Sequence, residues 1–153
     1  MRRFIKQNIF MLLATALSLI VLFDQSLFVR DIAPEAKSLY KQYINLVPKS
    51  CRDKLLDYNK ITIKFEPLGS NYLGVCKEHF RERIIVLDRP FWDTSDEENR
   101  QQLLFHEMAH CFLGKDHVNY ADNYMFPVHY PLPHGIFISQ VKADIKEFCE
   151  DED

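Results

Sequence analysis

The sequence predicts an α+β domain, and three observations carry that expectation. A segment with helical apolar spacing opens the body of the chain, alternating or β-branched runs suited to a short sheet occupy its middle, and two further helical patterns close it. With 153 residues, 47% of them apolar, the chain suffices for one packed domain and is too short for two of ordinary size. The expected organisation is an N-terminal hydrophobic segment over residues 1–25 and one domain over residues 26–153.

Pro34 opens the first helical pattern, in which Leu39, Tyr43 and Leu46, flanked by Tyr40, Ile44 and Val47, recur at i, i+3 and i+4 until Pro48 stops it. Ile61, Ile63 and Phe65 alternate with Thr62 and Lys64, the period of a half-buried strand, and residues 67–71 read as a turn. Residues 72–76 and 83–87 are two more strands, the second carrying Ile84, Ile85 and Val86. Phe91 and Trp92 are expected in core or sheet-edge packing. Ser95 with Glu98 three residues on has the form of a capping box, so a helix is expected from there to about Leu113, with Gly114 in the left-handed position beyond it. Residues 120–137, rich in proline and aromatics, read as irregular. Val141, Ile145, Phe148 and Cys149 after Ser139 define a last amphipathic helix.

The first 25 residues differ from the rest. Arg2, Arg3 and Lys6 precede an uncharged run from Ile9 to Phe23, which Asp24 ends, the layout of a secretory signal. Ala14-Thr15-Ala16 has the small-x-small form of a cleavage site, yet apolar residues continue past it, so a removed signal and a retained membrane anchor both stay open. The basic flank places the body outside the cytoplasm: secreted, periplasmic or membrane-anchored. Without those three basic residues, 16 of the 19 Lys and Arg remain against 22 Asp and Glu. That acidic balance, with no basic stripe interleaved with aromatics, excludes a nucleic-acid partner. A monomer is expected. Cys51, Cys76, Cys111 and Cys149 suit an oxidising compartment, and the absence of any CxxC removes a zinc ribbon. Of three possible pairings the expected one is Cys76 with Cys111 and Cys51 with Cys149; buried unpaired thiols are the alternative.

The chemistry concentrates between His106 and His117. His106-Glu107-x-x-His110 on a helix puts both imidazoles on one side, since residues four apart lie about 40° apart around the axis. Leu104, Phe105, Met108 and Phe112 fall on the other side and face the core. Two histidines leave a zinc ion under-coordinated, because catalytic zinc usually takes three protein ligands and keeps a fourth position open. His117 is the natural third ligand, as Gly114 lets the chain turn back toward the metal. Glu107, beside the ligands without being one, suits the general base that takes a proton from water bound to Zn2+.

His106-Glu107-x-x-His110-x-x-x-Gly114-x-x-His117, followed by Tyr124-Met125-Phe126-Pro127, resembles the metzincin zinc peptidases, most closely their matrixin branch. The resemblance runs from Phe105 to Pro127. It implies a small zincin-like domain with a short mixed sheet, an active-site helix and a C-terminal helix. It further implies a hydrophobic floor at Met125, a substrate wall after it, and an edge strand, either residues 72–76 or 83–87, that takes the peptide or protein substrate as an added strand. Two departures stand out. Three residues rather than two separate His110 from the glycine, so the helix runs one residue further or ends in a tighter turn. His129 stands where the family has a tyrosine, with Tyr130 next, so support of the wall or of the tetrahedral intermediate falls to one of these two. His79 and His134 read as loop histidines.

Three other readings compete. In the first, the metal only holds the fold of a non-catalytic zinc module. In the second, Glu147 replaces His117 as third ligand. In the third, His106, His110 and Gly114-x-Asp116-His117 are similar to the three-histidine motif of bacterial ribosomal-RNA maturation endoribonucleases. Those enzymes lack the glutamate after the first histidine, and Glu107 counts against that reading.

Overall fold

The computed structural model describes residues 29–150 apart from Asn59, Ser70 and Tyr130, and for Val29 the backbone alone. The expected signal or anchor segment and one of the two wall candidates, Tyr130, lie outside the described residues. Among the described residues no helix is long and apolar enough to cross a membrane.

Strand β1 (Val29–Ile32) leads through a 3₁₀ turn at Pro34–Ala36 into helix α1 (Lys37–Leu46). A second 3₁₀ turn, Lys49–Cys51, precedes the single-turn helix α2 (Arg52–Leu55). Then come β2 (Lys60–Glu66), β3 (Gly74–His79), β4 (Glu82–Asp88), the short α3 (Arg89–Thr94), the long α4 (Glu97–Met108) with its continuation Ala109–Leu113, and α5 (His134–Glu150). The sheet has four strands in the order β1-β2-β4-β3. β1 and β2, and β2 and β4, run parallel; β3 is antiparallel to β4 and forms one edge. This is the α+β fold with a mixed sheet and a C-terminal helix.

The periodicity of α1 is used as written. Leu39 and Tyr43 are buried, with Ala36 before and Val47 after them, and Pro48 follows once Val47 turns extended. Tyr43 meets Phe105 of α4 edge-on with centroids 5.0 Å apart, and Phe105 in turn meets Phe137 of α5 at 5.6 Å. Three helices thus share one aromatic seam, a geometry in which rings gain beyond their area burial. Leu104, Met108 and Phe112 are buried as their spacing requires. Phe91 and Trp92 stand on α3, where Trp92 is buried against Phe65 at 4.8 Å.

Several expectations need correction. The strand expected at residues 72–76 begins at Gly74 and reaches His79; the polar residues 77–79 mark its exposed edge, not a loop, and the chain reverses at Phe80 and Arg81 with Arg81 at φ 54°. Residues 83–87 lie in β4, between β2 and β3, so of the two candidates only β3 has an edge to offer. Ser95 does not cap α4. It ends α3, its N–H bonding the Phe91 carbonyl at 3.0 Å, so the cap moves to Asp96, which accepts the Asn99 N–H at 2.8 Å. The final helix begins at His134, five residues before Ser139, because the Pro133 carbonyl collects the N–H groups of Ile136 and Phe137 and Phe137 is pulled fully into the core. His134 therefore opens a helix.

Both expected disulfides are present. Cys51–Cys149 joins the start of α2 to the end of α5, and Cys76–Cys111 joins the edge strand to the continuation of α4. They close loops of 98 and 35 residues, for which chain entropy gives about 5 and about 4 kcal/mol respectively. Replacing both cysteines of either pair by serine should lower stability in denaturant titrations, with the longer loop costing more. Only loss of Cys76–Cys111 should also lower activity, because it alone bears on the cleft; equal activity in the two double variants contradicts this.

Candidate metal centre and active-site cleft

Helix α4 delivers the first two histidines, and its end delivers the third by an unexpected route. Residues 109–113 are wound as a π-helix, with the Gly114 N–H bonding the Ala109 carbonyl, and Gly114 then takes the left-handed conformation at φ 64°. The extra residue between His110 and Gly114 is absorbed by widening the last turn. Of the two outcomes the spacing left open, a helix one residue longer or a tighter turn, the helix is the one that continues, and i→i+5 bonding accommodates the additional residue.

His106, His110 and His117 come together as a result. Their Nε2 atoms are 3.0, 3.1 and 3.2 Å apart pairwise, and they form a group able to hold a metal ion. Donors about 2.0–2.1 Å from a tetrahedral ion stand roughly 3.3 Å from one another, so the spacing is within a few tenths of an ångström of a ligand set. The protons agree. Nδ1 of His106 donates to the Tyr124 carbonyl at 2.7 Å, and Nδ1 of His110 donates to the Lys115 carbonyl at 2.6 Å. A carbonyl only accepts, so both rings carry their proton on Nδ1, and both Nε2 atoms present lone pairs toward the same point. Two lone pairs at 3.0 Å repel unless a cation lies between them. Burial pushes the His106 imidazole down to about 4 and lowers that of His110, which keeps both in the neutral, ligating form.

Tyr124 belongs to the turn that carries Met125. Met125 is buried, its N–H bonds the Asn123 side-chain oxygen at 2.7 Å, and its carbonyl accepts the N–H of Val118, next to His117, at 3.0 Å. The turn therefore touches the histidine cluster twice, at His106 directly and at His117 through its neighbour. Glu147 does not join the three histidines; its carboxylate accepts from Lys115 Nζ at 2.8 Å.

A cleft of about 490 Å³ opens beside the histidines. Tyr72, Leu73 and Gly74 line one side, Gln102, Leu103, His106 and Glu107 the floor, and His117 with residues 123, 124 and 126–129 the other side. Its far wall is stapled to α4 by Gln102, which donates to the Leu132 carbonyl at 2.8 Å and accepts the Leu132 N–H at 2.9 Å. His129 lines the cleft, donates from Nε2 to Asn99 at 2.9 Å, and meets Phe91 edge-on. Burial lowers its pKa as well. His79 and His134 take no part in the cluster.

Glu107 is buried with its side chain against Gly74. A Cβ at position 74 would stand 2.5 Å from Glu107 Oε1 and 2.6 Å from its Cγ, so only glycine leaves room for the carboxylate. Burial pushes that carboxyl up to about 8, against a backbone hydrogen bond from Cys76 that favours its ionised form. Nothing in the spacing of the sequence marks Gly74, Gln102 or the Tyr124 carbonyl as part of the site. A glycine inside the strand candidate at residues 72–76, where a missing side chain allows close approach of another group, is the one signal that could have found Gly74.

The comparisons with known proteins agree with this geometry. The family model described as "Putative phage metallopeptidase" matches residues 32–150. The chain belongs to this phage metallopeptidase family. No curated protein and no solved structure matches it. Membership makes it a metal-dependent peptidase by family, with peptides or proteins as the class of substrate, and the matched span contains the whole histidine cluster and cleft.

Two measurements on this metallopeptidase follow from the site. Gly74→Ala should displace Glu107 and reduce kcat at least about tenfold with metal uptake unchanged; unaltered turnover would show that the carboxylate has another seat. In metal-free protein, folded Glu107 holds its proton to about pH 8 while the unfolded chain releases it near 4.5, so stability falls as pH rises between those values. The depressed histidines pull the other way only below their ordinary 6.5. From pH 7 to 8 the metal-free wild type should lose about 1 kcal/mol that Glu107→Gln keeps; parallel denaturant midpoints across that interval contradict the assignment.

Proposed function

We propose that the protein is a zinc-dependent endopeptidase of metzincin type that acts outside the cytoplasm. The observation that carries this is the convergence of three Nε2 atoms, two of them with Nδ1 committed to carbonyls, beside a buried glutamate in an open cleft. A three-imidazole set with one position left open suits catalytic zinc better than the closed four-ligand sets of structural sites. Zinc held there supplies a Lewis acid that acidifies water and polarises the scissile carbonyl.

Each residue then has a task. His106, His110 and His117 hold the ion. Glu107 takes a proton from the attacking water as oxygen bonds to the carbonyl carbon, and passes it to the leaving nitrogen as the C–N bond breaks. A carboxyl that the fold alone pushes to about 8 is largely protonated at neutral pH, so its work as a base depends on the positive charge of the ion beside it. Met125, buried in the turn that orients His106, provides the hydrophobic floor. The β3 edge receives the substrate backbone, and residues 126–129, His129 among them, wall the pocket for a substrate side chain. Tyr130 is the second candidate for that wall.

Two features support an extracytoplasmic location. One is the basic start and apolar run of residues 1–25, as a removed signal or a retained anchor; the other is the pair of disulfides, which persist in oxidising compartments. The non-catalytic alternative leaves the buried Glu107 and the cleft without a use, and the endoribonuclease alternative has no place for Glu107.

Glu107→Ala should retain one zinc per chain and lose about 10²- to 10⁴-fold in kcat on a mixed peptide library, whereas His117→Ala should lose metal and turnover together. Unchanged cleavage by Glu107→Ala removes the general-base role. Full zinc occupancy in His117→Ala moves the third ligand elsewhere.

A further inference from the structure

The two carbonyls that orient His106 and His110 belong to Tyr124 and Lys115, residues nine positions apart in irregular chain. One backbone bond, from the Val118 N–H to the Met125 carbonyl at 3.0 Å, joins the two stretches without involving either carbonyl. The side chains of Tyr124 and Lys115 nevertheless end on the same group. The Tyr124 hydroxyl donates to Asp144 Oδ2 at 2.6 Å, and Lys115 Nζ stands 3.3 Å from Asp144 Oδ1. Asp144 lies on α5, one turn beyond Gln140, which accepts the Tyr124 N–H at 3.0 Å and donates to the Asp122 carbonyl at 2.7 Å. Val141 and Ile145 of the same helix are buried in the core, so the carboxylate has a rigid mount.

We propose that Asp144 is a positioning residue for the metal site: one carboxylate, through Tyr124 and Lys115, fixes the orientation of His106 and His110 together. This rests on the reading of the three histidines as metal ligands. The linkage runs from Asp144 to the Tyr124 ring and so to the backbone whose carbonyl takes the His106 proton, and from Asp144 to the Lys115 ammonium and so to the backbone whose carbonyl takes the His110 proton. Partners outside the ligand set hold the tautomer and the ring angle, and their loss typically costs ten- to a hundredfold in metal affinity. Asp144 and Lys115 side chains are 23% and 25% exposed, so this pair is less screened than Lys115 with Glu147, whose side chain is 61% exposed. Lys115 Nζ lies closer to Glu147, at 2.8 Å, than to Asp144, at 3.3 Å, but Asp144 is the more buried of the two carboxylates and the one that also holds Tyr124.

The test measures zinc affinity of the full chain by competition with a chromophoric chelator, together with the ring Nδ1–H resonances of His106 and His110 in the zinc-loaded protein. Asp144→Ala should weaken zinc binding roughly tenfold or more and expose both Nδ1–H protons to faster solvent exchange. Tyr124→Phe should affect the His106 resonance, and Lys115→Met the His110 resonance. Ile145→Val, a core change on the same helix, should leave affinity and both resonances unchanged. The inference is overturned if Asp144→Ala binds zinc within twofold of wild type with both protons still protected, or if Ile145→Val weakens zinc as much. A wild-type chain that takes up no zinc, or His110→Ala that keeps it, overturns the ligand reading itself and the inference with it.

Discussion

The hydrogen bonds from His106 and His110 to the carbonyls of Tyr124 and Lys115 constrain everything else at the site. Because a carbonyl cannot donate, these bonds decide where each imidazole proton sits and leave both Nε2 lone pairs aimed at one point. For that to happen the chain after α4 must bring the carbonyls of residues 115 and 124 to the histidine pair while returning His117 to the same point. The π-wound end of the helix, the left-handed Gly114 and the buried turn at Met125 each serve that single requirement.

The sheet meets the same requirement from the other side. β3 lies at the edge, antiparallel to β4, and begins at the one residue that lets Glu107 lie flat against the backbone. Cys76 joins this strand to Cys111, next to His110, and Arg83 of β4 donates to the Cys111 carbonyl at 2.9 Å. The edge strand and the histidine-bearing helix are therefore fixed to one another by a covalent bond and a charged hydrogen bond within a few residues of the histidines. A cleft built between such elements keeps its shape, which favours preorganised chemistry over closure around substrate.

Much of this was legible in the sequence where the period was local. The spacing of Leu39 and Tyr43 placed α1, the alternation around Ile63 placed β2, and HExxH with Gly114 and His117 placed the histidine cluster, because each signal depends on neighbours a few residues away. The edge strand was misplaced by two residues and the final helix started late. Polar residues 77–79 face outward on an unpaired edge, and His134 begins a helix whose anchor, Phe137, is identified by its contacts with Phe105 and Tyr124. The π turn was beyond reach for a related reason: the spacing shows that one residue is extra, while the way the backbone absorbs it depends on what surrounds it. Gly74 and Gln102 matter through contacts with residues about 30 positions distant, at Glu107 and Leu132, which no periodicity encodes. The cysteine pairing was one of three arithmetical possibilities, and the fold realises it by bringing β3 to α4 and α2 to α5.

The claim on which the rest depends is that three imidazoles hold one metal ion. X-ray absorption at the zinc edge of the purified, zinc-loaded protein tests it most directly. The account predicts one zinc per chain with three imidazole nitrogens at about 2.0–2.1 Å and a light-atom fourth ligand. A sulfur shell near 2.3 Å, a count of two imidazoles or fewer, or no stoichiometric zinc would contradict it.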